Sequence, residues 1–244
     1  MNIMLTVAYD GTNYVGFQKQ KNGISIQEVL ENALFELTKE NIKITASGRT
    51  DAGVHAVGQV VNFTTKSRIP AGSFIKALNP LLPSDIKALN SKQVDKDFNA
   101  RKSAKRKTYV YSLYYGETIN PLLDRYAVLE EKELDIEKLN QAKEVFVGEH
   151  DFKCFCASGS SVKTTVRTIY DIEIIKTEIG VDISVTGNGF LYNMIRTLVG
   201  TLIKMEKGDL TVEKAKEILS SGNRKLVGKT YPAKGLKLKS VIYC

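Results

Sequence analysis

Ser47-Gly48-Arg49-Thr50-Asp51-Ala52-Gly53-Val54-His55-Ala56 places a guanidinium, a carboxylate and an imidazole within seven residues of a glycine-flanked stretch. Two β-like runs bracket it, residues 42–46 before and 57–63 after, so it reads as a tight loop at the end of a sheet. Gly48 and Gly53 allow backbone conformations that a residue with a Cβ resists. Rigid scaffolds place chemistry on such polar loops, although a single loop Asp more often caps a turn.

The neighbouring pattern extends the sheet. Ile3, Leu5, Val7 and Tyr9 alternate, the pattern of a strand. Residues 10–20 are polar, aromatic and punctuated by glycine, and read as a long loop. Ser25-x-x-Glu28 is a capping box, and Ile26, Val29, Leu30, Ala33, Leu34 and Leu37 predict a helix to about Lys39. A short helix over 71–78 and a strand near 86–94 complete the order βαββαβ.

The second half repeats that order without repeating the sequence. It reads as a strand at 107–115, a helix from an Asp135 cap to Phe146, strands at 166–175 and 181–185, helices at 190–205 and 212–219, and a closing strand at 236–243. A Ser- and Gly-rich loop falls at 157–161. The expected fold is α+β: two ferredoxin-like (split βαβ) halves, 1–105 and 106–244, with sheets joined side by side and helices on one face. A cleft between the halves is then the expected active site.

The 244 residues are 43% hydrophobic and 25% charged, with a formal net charge of +8. That surplus suits a polyanionic partner such as nucleic acid. Three cysteines make no disulfide framework. Residues 1–10 do not read as a signal peptide, and no apolar run approaches about 18 residues. No membrane association and a cytoplasmic location are expected.

Two further clusters carry chemistry. Between Arg101 and Lys107 lie five basic side chains, Arg106 among them, followed by Tyr109 and Tyr111 on a strand. Basic groups neutralise phosphates and aromatic faces stack on exposed bases. Arg196 sits on an otherwise apolar helix and calls for an acid or phosphate partner unless it reaches solvent. A zinc site at His150, Cys154 and Cys156 is the rival reading, but Cys-x-Cys is not the usual zinc spacing and no second cysteine pair exists. Phosphate-binding and dinucleotide fingerprints are absent. No metal and no cofactor are expected.

The nine residues 48–56 resemble the catalytic loop of the TruA family of tRNA pseudouridine synthases. Further matches follow in order: Tyr9-Asp10-Gly11-Thr12 with Gly16-Phe17-Gln18; Phe98, Ala100-Arg101, Tyr109 and Tyr111; residues 187–200; and Gly235-Leu236-x-Leu238. Phe17 stands where members often have Trp, Asn99 where many have His, and Tyr231 where a small residue is common.

The resemblance implies that Asp51 is catalytic, that Arg196 pairs with it and that Tyr109 contacts the target base. Arg49 would help orient the carboxylate, and Arg101 and Arg106 would hold RNA phosphates. It also implies a homodimer acting on uridines at the 3′ side of the anticodon stem-loop. The alternatives are a synthase for ribosomal RNA and a non-catalytic RNA-binding protein of paired ferredoxin-like folds. A pure binding module has no use for a carboxylate facing phosphates.

Overall fold

The computed structural model describes residues 1–157 and 162–243, so the loop read at 157–161 lies outside them except for Ala157. In chain order the elements are β1 (Asn2–Tyr9), α1 (Ile26–Thr38), β2 (Thr45–Ala46), β3 (His55–Thr64), α2 (Phe74–Leu78) and β4 (Ile86–Val94). They continue as β5 (Arg106–Tyr115), β6 (Val128–Glu130), α3 (Ile136–Lys143), β7 (Gly148–Asp151), β8 (Val166–Lys176) and β9 (Gly180–Gly187). The last are α4 (Met194–Glu206), α5 (Val212–Ser221) and β10 (Leu236–Ile242). The chain forms two compact units, Met1–Lys105 with the segment from Lys237, and Arg106–Leu236. The class is mixed α+β.

In the first unit the strand order is β4-β1-β3, with β2 and β10 both pairing β3. β1 is antiparallel to β3 and β4, and β2 is antiparallel to β3. That is the split βαβ arrangement, in which β3 lies between the two strands that α1 connects. β10 joins in parallel, with Lys237 opposite His55 and Leu238 opposite Ala56. The alternation read in β1 is real: Ile3, Leu5 and Val7 are fully buried. α1 buries Ile26, Leu30, Ala33 and Leu34, one stripe at helical spacing. α2 adds Phe74, whose ring meets Phe63 of β3 edge-on at 5.5 Å.

In the second unit the order is β5-β9-β8-β7, all antiparallel neighbours, with β6 parallel to β5. β5 and β9 bury Tyr111, Leu113, Val181, Ile183 and Val185. α4 buries ten of its thirteen residues. Phe146, Phe152 and Phe155 form an aromatic cluster, in which the Phe155 ring lies 5.6 Å from that of Phe146 and 5.7 Å from that of Phe152, centroid to centroid.

Several boundaries differ from expectation. The run at 42–46 pairs only at Thr45–Ala46. The helix expected to reach Phe146 stops at Lys143, and the one expected over 71–78 begins as a 3-10 turn at Ala71–Ser73. The helix expected from Phe190 starts at Met194, because Asn193 adopts a left-handed conformation with φ 62°. β6 and β7 were not foreseen.

Candidate active site

The loop between β2 and β3 is built as expected, a turn at the end of a sheet. Val54 N–H donates to Asp51 O at 3.1 Å, and Gly53 has φ 75°, so Asp51 opens a tight turn whose third residue favours glycine. Asp51 is half-buried and Arg49 is exposed. The two side chains thus leave one loop from a rigid frame.

Buried polar groups make that frame. Gln59, fully buried on β3, accepts from Ser47 Oγ at 2.6 Å and donates to Gly48 O at 3.0 Å. Tyr9 OH and Thr50 Oγ1 are 2.8 Å apart. Burial raises the Tyr9 phenol to about 12, against the lowering effect of its bonds to Thr50 and Gln59. The N-terminal loop closes over the same residues. Phe17 N–H donates to Thr50 O at 3.0 Å, and Phe17 packs on Tyr9 with centroids 6.1 Å apart. An aromatic therefore fills the position where Phe17 was read. Gly16 has φ 112°, and a Cβ there would lie 2.8 Å from Thr50 O, so only glycine lets this loop approach.

His55 links both loops. Its Nδ1 lies 3.1 Å from Gly11 N and 3.1 Å from Asp10 Oδ1. Asp10 Oδ1 also accepts from Thr12 N and Thr12 Oγ1 at 3.0 and 2.6 Å. The motif residues 9–12 thus form a turn tied to the strand that follows Asp51.

Arg101 lies in an exposed turn of the first unit. Asn99 Oδ1 accepts from Arg101 N and Lys102 N at 3.0 Å each, an Asx turn. Asn99 therefore has a structural task. Asn62 and Asn2 pin the same segment: Asn62 Oδ1 accepts from Ala100 N at 2.8 Å and Asn2 Nδ2 donates to Phe98 O at 3.0 Å.

Arg106, Tyr109 and Arg196 belong to the second unit. Arg106 opens β5, with its guanidinium 4.9 Å from the ring centre of exposed Tyr170. Tyr109 is buried on β5, and Phe190 meets its ring edge-on at 5.4 Å. Arg196 lies in the first turn of α4. Its Nε donates to Tyr231 O at 2.6 Å and its Nη1 to Asn193 Oδ1 at 2.8 Å. So Arg49 and Asp51 share a loop, Arg101 stands on a separate turn of that unit, and the other three residues are carried by β5 and α4.

Gln59, Tyr9 and Thr50 were missed as site residues by sequence reasoning. A buried glutamine inside an alternating strand was the available signal. The rival zinc ligands have other partners: His150 Nε2 is 3.0 Å from Val147 O, and Cys154 Sγ is 3.5 Å from Ile218 O. Burial raises the Cys154 thiol to about 11. Among the described residues no helix is long and apolar enough to cross a membrane.

A family model described as tRNA pseudouridine synthase matches residues 5–101 and 142–244. The chain is 46% identical over 242 residues to tRNA pseudouridine synthase A 2 of Clostridium perfringens, covering 99% of each chain. It is 44% identical over 242 residues to tRNA pseudouridine synthase A of Acetivibrio thermocellus, again covering 99% of each. Among solved structures it is similar to a chain of a Cbf5-Nop10-Gar1 complex, with 15% identity and a TM-score of 0.44, over 97% of this chain and 48% of that one.

Proposed function

The chain belongs to the tRNA pseudouridine synthase family, and on that premise we propose that it isomerises uridine to pseudouridine at the 3′ side of the tRNA anticodon stem-loop, with Asp51 as the catalytic carboxylate. The reaction breaks the bond from ribose C1′ to uracil N1 and joins C1′ to C5. The C5 proton leaves and N1 gains one, so neither an oxidant nor a group carrier is consumed. A carboxylate suits this chemistry in two ways. It can attack the sugar carbon as a nucleophile, or act as the base that assists breakdown of the sugar bond.

The observation that carries the reading is the placement of Asp51. It opens a turn whose flanks are fixed by Gln59, Thr50 and Gly16, so the scaffold holds the backbone that carries its carboxylate. Arg196 is assigned to pair with that carboxylate, as the family resemblance implies, and with Arg49 to orient it and favour its charged form. Tyr109 is assigned to the target base, which must leave its stack to react. Arg101 and Arg106 are assigned to phosphates, in keeping with the net charge of +8. A homodimer working in the cytoplasm completes the proposal.

Mapping tests the target. Unmodified tRNA transcripts are incubated with the protein, then probed by carbodiimide adducts and primer extension. New stops on the 3′ side of the anticodon stem-loop are expected. Pseudouridine formed only elsewhere in tRNA, or only in ribosomal RNA, would overturn the assigned target.

A further inference from the structure

We propose that Tyr231, through the bond from its hydroxyl to the buried carboxylate of Glu130, is a positioning residue for the Arg196 guanidinium. The inference rests on the reading of Arg196 as a residue of the site. It concerns the position where this chain carries a tyrosine in place of a small residue.

Arg196 and Tyr231 are latched in both directions. Arg196 Nε donates to Tyr231 O at 2.6 Å, and Tyr231 N–H donates to Arg196 O at 3.2 Å. The carbonyl that aims Nε is therefore only as fixed as Tyr231 itself. That residue is 3% exposed and held at its far end, where its OH donates to Glu130 Oε1 at 2.6 Å. Glu130 is 8% exposed, and its other oxygen lies 3.3 Å from Lys207 Nζ. A hydroxyl donating to a charged oxygen makes one of the stronger hydrogen bonds a protein offers. Burial and the Glu130 carboxylate both raise the Tyr231 phenol, so it remains a donor at neutral pH.

The segment around Tyr231 is bound along its length. Tyr111 OH donates to Pro232 O at 2.8 Å, and the Tyr111 ring meets the Tyr231 ring edge-on at 6.0 Å. Thr230 Oγ1 and Thr197 Oγ1 are 3.0 Å apart, and Gly228 N–H donates to Thr201 Oγ1 at 2.9 Å. A Cβ on Gly200 would lie 1.9 Å from Lys229 O, so the segment rests directly on the backbone of α4. Successive carbonyls, at 231 and 232, thus serve Arg196 and Tyr111. A small residue at 231 would keep the main-chain latch but lose the anchor and leave Glu130 without its hydroxyl donor.

The test uses the full chain, a range of tRNA concentrations up to saturation and five variants. Tyr231→Phe deletes one oxygen and keeps the ring, its contact with Tyr111 and the main-chain bonds. It is expected to lower kcat about tenfold with KM for tRNA unchanged, because a small misplacement of a catalytic group is costly. Glu130→Gln keeps an acceptor in place and is expected to retain kcat within about threefold. Glu130→Ala should resemble Tyr231→Phe, and the Tyr231→Phe/Glu130→Ala double variant should lose no more than either alone. Arg196→Ala, assayed alongside, separates the two claims. Near-normal kcat in Arg196→Ala would overturn the site reading and the positioning role with it. A crippled Arg196→Ala with normal kcat in Tyr231→Phe would overturn the positioning role alone. A lower melting temperature for Tyr231→Phe with unchanged kcat would assign the hydroxyl to stability only and so reject the inference.

Discussion

Ser47 and Gln59 are joined at 2.6 Å, the hydroxyl donating to the amide oxygen at the root of the loop that carries Asp51. The same glutamine donates to Gly48 O at 3.0 Å, so one fully buried side chain holds two successive residues of that loop. Gln59→Leu fits the strand but leaves the Ser47 hydroxyl and the Gly48 carbonyl without this partner. A loss of about 1–3 kcal/mol is expected for stranding a buried polar group. Urea unfolding measures it, and a midpoint equal to wild type would show the loop is held by other means.

Gly16 meets Thr50 in a conformation that other residues resist. Gly16→Ala places a Cβ against backbone, where no side chain can swing away, and adds strain at φ 112°. The expected cost is about 1–3 kcal/mol, together with a fall in turnover because the loop moves. A thermal melt and a turnover assay on the same sample check both. Full turnover would separate the N-terminal loop from the site.

Tyr9 predicts a pH dependence with a defined sign. Its phenol stands at about 12 in the folded chain, against about 10 in an unfolded one. Between those values the unfolded chain has released a proton that the folded chain keeps. Stability from Tyr9 is therefore full below pH 10 and is lost as pH rises through 12. Burial raises Tyr14, Tyr111 and Tyr243 in the same direction. Denaturation between pH 9 and 12 should show a smaller decline for Tyr9→Phe than for wild type. Equal declines would contradict the shift.

Tyr109 separates ring from hydroxyl. Its ring is buried against Phe190, and the proposed role is to meet the target base. Tyr109→Phe should impair turnover less than Tyr109→Ala, because stacking needs only the ring. Stacking on an aromatic is worth about 1–3 kcal/mol per base. Equal losses would point to an essential hydroxyl.

The core was legible where periodicity was strong. Ile3, Leu5 and Val7 alternate and are buried; the Ser25 cap forms, with its Oγ accepting from Glu28 N at 3.2 Å. The other half of that capping box was not legible, since the Glu28 carboxylate pairs with Lys19 at 3.4 Å. The start of α4 was missed because a left-handed Asn193 carries no glycine or proline signal. β7 was missed because Gly148–Asp151 buries no residue fully and so leaves no hydrophobic alternation. In the candidate site, the turn that Asp51 opens could be read from its glycine spacing, whereas the catalytic role proposed for Asp51 rests on the family resemblance. The support from Gln59 and the anchor at Glu130 could not, because each bond joins residues far apart in sequence.

The role proposed for Asp51 is that of the carboxylate in uridine isomerisation. Its most direct test is tritium release from tRNA labelled at uridine C5, with wild type and Asp51→Asn side by side. Joining C1′ to C5 expels that tritium, so the signal reports bond formation itself. Release by wild type is expected, with none above background from Asp51→Asn, which should still bind tRNA as wild type does. Substantial release by Asp51→Asn would contradict the assignment and move the chemistry to another residue.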